Sequence, residues 1–262
     1  MKKNLLLLLS SFIIFSSCEK DEIEKKDEVS NATCLPTEIN YDNNNYTRKF
    51  TYNTESQIIR EDIIDNNTNI GYNTFEYNAN KLIKQNAYNA QSTLKSYYTY
   101  EYNSSNQLIA EKYFDLSNGS AIEKESFTYE YSSPTELKKS SYFENNTLYS
   151  YRTYQYSNGL MTKIQSFKAN GNQSGQTEIE YDNNKSALSS LNPIIVLFGT
   201  TAFPYQKNII KHIVKDANGQ TVNDESYSST YEYNSQGYPL KRNENRLDGR
   251  IRSVLYKYNC KE

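Results

Sequence analysis

The fold is decided by a stretch that reads, from residue 98 to residue 114, YTYEYNSSNQLIAEKYF. Its first segment alternates aromatic and polar residues, a polar turn follows at 103–107, and the second segment begins with Leu108. Period-two alternation of Tyr, Thr, Ile and Phe indicates strands rather than helices. Two strands joined by so short a turn are antiparallel neighbours. The stretch therefore predicts a β-hairpin.

The same hairpin recurs along most of the chain. Pairs of the form aromatic-x-Tyr place their second member at spacings of 25, 25, 29, 25, 25, 52 and 25 residues. The spacing of 52 is close to two periods, so we expect about nine units. Alternate residues of a strand share a face, which predicts an aromatic ladder on one side of the sheet. Its members are Tyr52, Tyr77, Tyr102, Tyr131, Tyr156, Tyr181, Tyr233 and Tyr258.

We expect an all-β fold: an antiparallel meander of about 16 strands, built from hairpins of ~25 residues. Accumulated twist favours a barrel, a half-barrel or a twisted single-layer sheet. The face opposite the tyrosines carries a recurring Glu, as at Glu101 and Glu130, which we expect to pair with Lys on neighbouring strands. Neither face offers the apolar band that a membrane-spanning barrel needs.

One apolar segment interrupts the repeat at 183–204. Its residues 191–198 are the most apolar run after the first segment of the chain. We expect this insertion to pack as a plug inside the sheet or across one mouth of it, because a wide barrel needs filling. The alternative is a lip that contributes to ligand binding.

A targeting segment precedes the repeats. Residues 1–17 combine a short basic start, an apolar run at 5–15 and small residues before Cys18, which is typical of a secretion signal. The apolar run is too short to cross ~30 Å of hydrocarbon. The segment resembles a bacterial lipobox, with Phe15 where Leu is usual, and this resemblance implies lipidation of Cys18. The alternative is ordinary cleavage near Ser17, which leaves Cys18 as a free thiol.

The residues after Cys18 contain a second targeting signal. Lys20, Asp21 and Glu22 resemble the export signal of Bacteroidetes-type lipoproteins, which implies display on the outer face of the outer membrane. A lipoprotein facing the periplasm is the alternative location. Residues 18–33 are predicted to form a disordered charged tether. Residues 34–262 then form a single β-repeat domain.

Two further cysteines, Cys34 and Cys260, stand near the two ends of the repeat domain. An exported protein permits a disulfide, and an even number of cysteines favours one. The bridge would bring the two ends of the domain together, which favours a closed sheet. Two unpaired thiols are the alternative.

Composition excludes several classes of function. A net charge of −2 gives no basic patch for nucleic acid. His212 is the one histidine of the chain, which argues against His-rich metal sites, and we predict no metal and no cofactor. His212 lies in an apolar strand-like run, and we interpret it as structural. We predict no enzyme activity, because a Glu that recurs with the repeat marks no unique catalytic site.

The repeat resembles a known one. The run Tyr231-Glu232-Tyr233-Asn234, followed by Gly237 and Leu240, resembles the tyrosine–aspartate repeat of RHS-type proteins. The chain is more closely similar to Bacteroidetes-type surface lipoproteins of unknown function with degenerate tyrosine-rich repeats and an Asn-Pro-apolar insertion, as at 192–194. This resemblance implies a lipid-anchored protein of the outer membrane and supplies no catalytic residues.

Three functions are compatible with these observations. The first, which we favour, is a non-enzymatic binding or scaffold module with a glycan or a surface protein as partner. The second is a glycan-degrading hydrolase that uses paired carboxylates. The third is a small shell related to RHS proteins.

Overall fold

The computed structural model describes residues 33–41, 46–191, 195–197, 200–202 and 206–261, and within these ranges every regular element is a strand. The strands are β1 (Thr33–Tyr41), β2 (Tyr46–Tyr52), β3 (Ile58–Asp65), β4 (Thr68–Asn78), β5 (Lys81–Asn89), β6 (Leu94–Tyr102), β7 (Leu108–Asp115), β8 (Ile122–Tyr131), β9 (Leu137–Glu144), β10 (Thr147–Ser157), β11 (Leu160–Lys168), β12 (Gln173–Lys185), β13 (Ile195–Leu197), β14 (Thr200–Ala202), β15 (Lys207–Asp216), β16 (Tyr227–Tyr233), β17 (Pro239–Arg246) and β18 (Ile251–Lys261). The structure confirms the antiparallel meander and, of the three expected shapes, has the closed barrel.

The barrel contains sixteen strands, and the short strands β13 and β14 form a separate sheet. Each strand pairs with its neighbours in sequence, apart from β12 with β15 across the insertion and β1 with β18 at the closing seam. The hairpin unit that begins with β12 is therefore completed by β15. The expectation of about nine units is wrong: sixteen strands make eight hairpin units, and the spacing of 52 arises because the insertion lengthens one turn.

At the closing seam, the first strand β1 pairs with the last strand β18, and these two strands form the eighth hairpin unit. Thr33 lies opposite Lys261, and Cys34 lies opposite Cys260. The two cysteines form a disulfide with their Cα atoms 3.9 Å apart, which confirms the expected bridge. The mouth of the barrel that holds Thr33 and Lys261 is called the terminal mouth below, and the opposite one the far mouth.

Each of the eight units carries a β-bulge at the same place. In the unit of β6 and β7, Glu101 faces Ala110 and Tyr102 faces Leu108, which leaves Ile109 as the extra residue. The same shift occurs at the other seven positions. Bulges bend a strand and increase its twist, so a bulge in every unit near the terminal mouth helps to close the sheet.

Asparagine shapes the turns at the terminal mouth. The Oδ1 atom of Asn103 accepts hydrogen bonds from the backbone N–H groups of Ser105 and Gln107 at 3.0 and 2.9 Å. The turn then needs a positive φ at Asn106, where φ is 63°, a conformation that Asn tolerates. Asn53 and Asn234 start equivalent turns. The Asn that begins each of these turns therefore fixes the shape of the turn.

The outer face of the barrel is charged. Glu101 pairs with Lys112 on the next strand at 3.2 Å, and Glu130 pairs in the same way with Lys139 at 3.6 Å. Equivalent pairs join Glu180 to Lys211 and Glu232 to Lys241. The expected pairing of the recurring Glu with Lys is therefore confirmed for these residues.

The core lies inside the barrel, toward the terminal mouth. Leu82, Leu108 and Leu137 open the second strands of three units and are 1%, 0% and 2% exposed. Leu191, the first residue of the predicted apolar plug, belongs to the same core cluster. Strand β12 continues to Lys185, so the insertion starts later than the sequence predicted. The rest of the plug prediction falls on 192–205, whose side chains lie outside the described residues.

Candidate functional site: the bore of the barrel

The ladder tyrosines line the bore next to the terminal mouth and are half-buried. Their side chains face the bore, and each reaches toward the start of the preceding strand. Six hydroxyls donate to a backbone carbonyl there at 2.5–2.9 Å, from Tyr52 to Pro36, Tyr77 to Ile58, Tyr102 to Leu82, Tyr131 to Leu108, Tyr181 to Met161 and Tyr258 to Pro239.

The two remaining ladder hydroxyls have different partners. The Tyr156 hydroxyl accepts from the Leu137 N–H at 3.0 Å, and the Tyr233 hydroxyl donates to Asp182. Burial raises the pKa of Tyr77 and of Tyr131 to about 12. These hydroxyls therefore stay protonated at neutral pH, and the ladder ties each strand to the next by both ring and hydroxyl.

On the wall formed by β7, β8 and β9, the exposure of the inward side chains rises toward the far mouth. Leu108 and Leu137 are buried, whereas Glu125 and Tyr142, farther along the same wall, are half-buried. Arg152 faces inward, because it lies between Ser140 and Ser166, and it is exposed. This side of the bore is therefore dry at the level of Leu108 and Leu137 and reached by water toward the far mouth.

One inward position differs from unit to unit. It stands three residues after the residue that faces the ladder tyrosine, and it lies opposite the first residue of the repeated pair. Its occupants form a ring at mid-depth, called the variable ring here: Ile39, Glu61, Gln85, Glu111, Ser140, Ile164, His212 and Arg242. Sequence reasoning missed this ring, although in six of the eight units a polar residue at this position breaks the apolar alternation of the second segment.

The variable ring is hydrogen-bonded to the tyrosines beside it. The Tyr129 hydroxyl donates to Glu111 Oε2 at 3.2 Å, and the hydroxyls of Tyr154 and Ser140 are 2.7 Å apart. Arg48, on β2, forms an ion pair of 2.9 Å with Glu61. Neighbouring units thus hold one another's polar residues in fixed positions.

An acidic wall occupies β7, β8 and β9. It consists of Glu111, Glu125 and Glu144, which share the inner face with Tyr129 and Tyr142. Burial raises the pKa of Glu111 to about 7, and the nearby charge of Glu125 acts in the same direction. Glu111 is therefore largely protonated below neutral pH, while its neighbours toward the far mouth meet water.

An arginine cluster occupies the opposite side. Arg242 and Arg246 on β17 and Arg252 on β18 face the bore around Glu244. Strands β17 and β18 stand eight places from β7 and β8 in the ring of sixteen, so the two charged regions are diametrically opposed. Opposed charges across a bore create a field that orients a polar ligand.

Aromatic rings line the accessible half between the charged residues. Tyr98 packs on Tyr113 with ring centroids 4.9 Å apart, and Phe127 packs on Tyr142 at the same distance. A cavity of about 580 Å³ at the far mouth is lined in part by Arg152, Ser166 and Lys168. Rings that alternate with charged groups can hold a ligand that has both apolar faces and polar edges.

His212 belongs to the variable ring and stacks on Tyr227, with ring centroids 4.8 Å apart. Burial lowers the pKa of His212, so the imidazole is neutral at physiological pH. Its Nδ1 atom has no hydrogen-bond partner among the described residues. In the same part of the chain, no group of three or more His, Cys, Asp or Glu side chains is arranged to hold a metal ion.

The structure brings together some of the predicted site residues and leaves others out. It joins Cys34 to Cys260 and lines up the eight ladder tyrosines. The lipidation residue Cys18 and the export residues Lys20, Asp21 and Glu22 lie outside the described residues. No helix long and apolar enough to cross a bilayer occurs among the described residues.

Comparison with known proteins gives similarity of fold alone. No family model matches the chain, and no curated protein matches it. A porin-like protein from Bacteroides uniformis is similar over 88% of this chain and 99% of its own, with 13% identity and a TM-score of 0.58. This similarity shows that a related barrel architecture occurs in that protein.

Two further solved structures are less similar. A porin-like protein from Bacteroides vulgatus has 13% identity and a TM-score of 0.43 over 86% of this chain and 99% of its own. The TcdB2-TccC3 structure has 12% identity and a TM-score of 0.27 over 82% of this chain and 14% of its own. These TM-scores are too low to carry an argument.

Proposed function

We propose that the protein is a non-enzymatic binding module, held at the cell surface by a lipid on Cys18, that takes its ligand into the bore through the far mouth. The observation that supports it best is the gradient of exposure along the wall of β7, β8 and β9, from Leu108 at 0% to the accessible Glu125 and Tyr142. A cup that is closed at one end and open at the other can retain a ligand without acting on it.

The positions of Thr33 and Lys261 indicate which mouth of the barrel would face the membrane. Thr33 and Lys261 lie at the terminal mouth, so a tether formed by 18–32 leaves the barrel from its closed end. Four bulged residues near that rim are large and apolar and 37–43% exposed: Ile59, Ile83, Ile109 and Leu240. A lipid on Cys18 then turns this end toward the membrane and the far mouth away from it.

The outer face supports a barrel that stands outside the bilayer. Ion pairs such as Glu101 with Lys112 and Glu180 with Lys211 occur on strands around its circumference. Charged residues on a lipid-facing surface cost several kcal/mol near the middle of a bilayer. The resemblance of Lys20, Asp21 and Glu22 to an export signal favours the outer face of the outer membrane, with a periplasm-facing lipoprotein as the second location.

A glycan is the ligand that suits the accessible half of the bore. Tyr98, Tyr113 and Tyr142 offer ring faces, and Glu125 and Arg152 offer charged edges beside them. Sugar rings have apolar faces that can stack on tyrosine rings and hydroxyl edges that can bond to the charged groups beside them. A segment of a surface protein is the alternative partner, and the acidic wall argues against nucleic acid.

Binding in the bore is tested with two tryptophan variants of β11. Ser166→Trp fills the bore from the inner face, and Gln165→Trp places the same side chain on the outer face. Wild type, both variants and a blank are screened on a glycan array and against surface polysaccharide extracts. We expect retention of at least one glycan that Ser166→Trp loses and Gln165→Trp keeps. Equal retention by both variants, or no retention by wild type, contradicts the proposal.

The lipidation of Cys18 and the export signal at residues 20–22 are tested separately. We expect a radioactive fatty acid to label the wild-type protein in growing cells and to leave Cys18→Ala unlabelled. When Lys20, Asp21 and Glu22 are all replaced with Ala, the protein should no longer be displayed on the cell surface. It should then be protected from a protease added to intact cells, while the fatty-acid label persists. Labelling of Cys18→Ala contradicts the anchor, and unchanged digestion contradicts the export signal.

A hydrolase with paired carboxylates is the second candidate. It is favoured by Glu111, whose pKa of about 7 suits a general acid, and by the neighbouring Glu125. Against it, Glu111 is 0% exposed and so has no contact with a ligand in the bore. Release of reducing sugar from a bound glycan, abolished by Glu111→Gln and by Glu125→Gln, is the result that would make the protein an enzyme.

A further inference from the structure

The arginine cluster is built around a single carboxylate. Arg242 and Arg246 lie two residues before and after Glu244 on β17, and Arg252 lies directly opposite Glu244 on β18. Alternate residues of a strand share a face, so all four side chains project into the bore. Three guanidinium groups thus lie on the same inner wall as one carboxylate.

Glu244 has both oxygens occupied by the residues of its own strand. Arg242 Nη2 lies 2.6 Å from Oε2, and Arg246 Nε lies 2.9 Å from Oε1. Arg252 is left without a carboxylate within ion-pair distance among the described residues, and its guanidinium lies 5.7 Å from the ring centroid of Tyr41. The cluster therefore carries a surplus of two positive charges.

The other charged groups on this side of the bore leave that surplus in place. Arg48 is paired with Glu61 at 2.9 Å and adds no net charge. Asp65, at the rim on β3, stands three strands from β18, and among the described residues it forms no ion pair with Arg246 or Arg252. Like charges gathered in a partly dry bore repel one another, and a bound anion relieves that repulsion.

The cluster is held in shape before any ligand arrives. Arg242 Nε donates to Ser229 Oγ at 3.0 Å, and its guanidinium lies over the Tyr227 ring at 4.8 Å. Arg246 also donates to the Asp224 carbonyl. Glu244, at 3% exposure, is the buried anchor of the group. Preorganised donors bind an anion with little loss of side-chain entropy.

We infer that Arg246 and Arg252 bind an oxyanion, a carboxylate, sulfate or phosphate group, of a ligand in the bore. Guanidinium groups present forked N–H donors that match the oxygens of such groups. The acidic wall, eight strands away, repels the same group and directs it to the arginine side. This inference rests on the proposed binding in the bore and adds the class of ligand: an anionic glycan or a free oxyanion.

The experiment measures binding by calorimetry at low salt with three probes. These are inorganic sulfate, a tetramer of galacturonate, and the same tetramer with its carboxyl groups reduced to neutral alcohols. The test variants are Arg246→Gln and Arg252→Gln. The matched controls are Lys241→Gln and Lys257→Gln, which remove the same charge from the outer face of the same two strands. Equal melting temperatures exclude unfolding as the cause of any difference.

We expect the galacturonate tetramer to bind wild type, and each arginine variant to bind it about tenfold more weakly. The lysine variants should keep the wild-type affinity, and the neutral tetramer should bind weakly to all five proteins. Arginine-dependent binding of sulfate without binding of the tetramer also supports the oxyanion site, with a free ion as the ligand.

Three results overturn the inference. Equal losses in the arginine and lysine variants would show a general charge effect rather than a site. Binding of the neutral tetramer as tightly as the acidic one, unchanged in Arg252→Gln, would also contradict the inference while leaving the bore as the binding place. Absence of binding by all three probes overturns the oxyanion site, and the tryptophan variants of β11 decide separately whether the bore binds a ligand.

Discussion

The Tyr129 hydroxyl donates to Oε2 of Glu111 at 3.2 Å inside the barrel, and the two residues belong to successive repeat units. The other oxygen of Glu111 has no hydrogen-bond partner among the described residues. Burial raises the pKa of Glu111 to about 7, against an ordinary value of 4.5. The folded barrel therefore holds a proton on Glu111 at a pH where the unfolded chain has released it.

This proton gives the stability of the barrel a pH dependence. The folded state binds more protons than the unfolded state between pH 4.5 and about 7, so the free energy of unfolding falls as pH rises through that window. The contribution of Glu111 to this fall is roughly 3 kcal/mol. Glu111→Gln cannot ionise, and we expect it to melt near wild type at pH 4.5 and above it at pH 8.

Thermal denaturation of Glu111→Gln across this pH range checks the prediction. Glu130→Gln, on the outer face, is the control and should show the pH profile of wild type. A constant difference in melting temperature between Glu111→Gln and wild type at every pH would mean that Glu111 does not titrate in this window.

The ladder hydroxyls should each contribute measurably to stability. Tyr102 donates to the Leu82 carbonyl at 2.8 Å, and Tyr102→Phe removes that bond while it keeps the ring. We expect a loss of about 1 kcal/mol in the free energy of unfolding. Tyr97→Phe is the matched control, because Tyr97 lies on the outer face, stacked on Phe114 at 4.7 Å. Equal effects of the two changes in urea denaturation would refute the structural role of the ladder hydroxyl.

The disulfide should stabilise the seam between the first and last strands. Cys34 and Cys260 are separated by 226 residues, and closure of a loop of that length contributes up to about 5 kcal/mol in the chain-entropy account. We expect reductant to lower the urea midpoint of wild type and to leave that of a Cys34→Ser, Cys260→Ser double variant unchanged. A wild-type midpoint that is insensitive to reductant would show that the bridge adds nothing to stability.

The start of the insertion should be part of the core. Leu191 is 6% exposed and belongs to the cluster that closes the terminal mouth, so Leu191→Ala should cost about 2–5 kcal/mol. Leu240→Ala is the control, because Leu240 is 43% exposed, and it should cost well under about 1 kcal/mol. If the two variants unfold at the same urea concentration, the insertion does not pack as the account requires.

The repeat made much of this fold predictable. Alternation around Tyr100 and Tyr102 specified strands, and the short turns specified antiparallel neighbours, so the meander and the inward ladder followed from local pattern. The count of units did not, because β12 continues to its partner β15 only after the insertion. The regular bulge was also hidden, since Ile109 reads as one more strand residue until the register of both strands is known.

The candidate site was harder to predict for a physical reason. Glu111 is far in sequence from Arg242 and Arg252, and the fact that they face one another across the bore depends on which strands stand opposite in the closed ring. Closure is a long-range property, set by the seam between β1 and β18. The pattern of one repeat indicates which residues face inward, and only the complete ring determines which of them meet.

The central claim is that the bore is closed at the terminal mouth and open at the far mouth. Nitration of tyrosines in the native protein, mapped by mass spectrometry, tests it most directly. We predict modification of Tyr142, inside the accessible half, and of Tyr149, which is 62% exposed, with protection of Tyr100 and Tyr129, which are 5% and 7% exposed. Protection of Tyr142 as complete as that of Tyr100, or modification of Tyr100 as fast as that of Tyr149, would contradict the account.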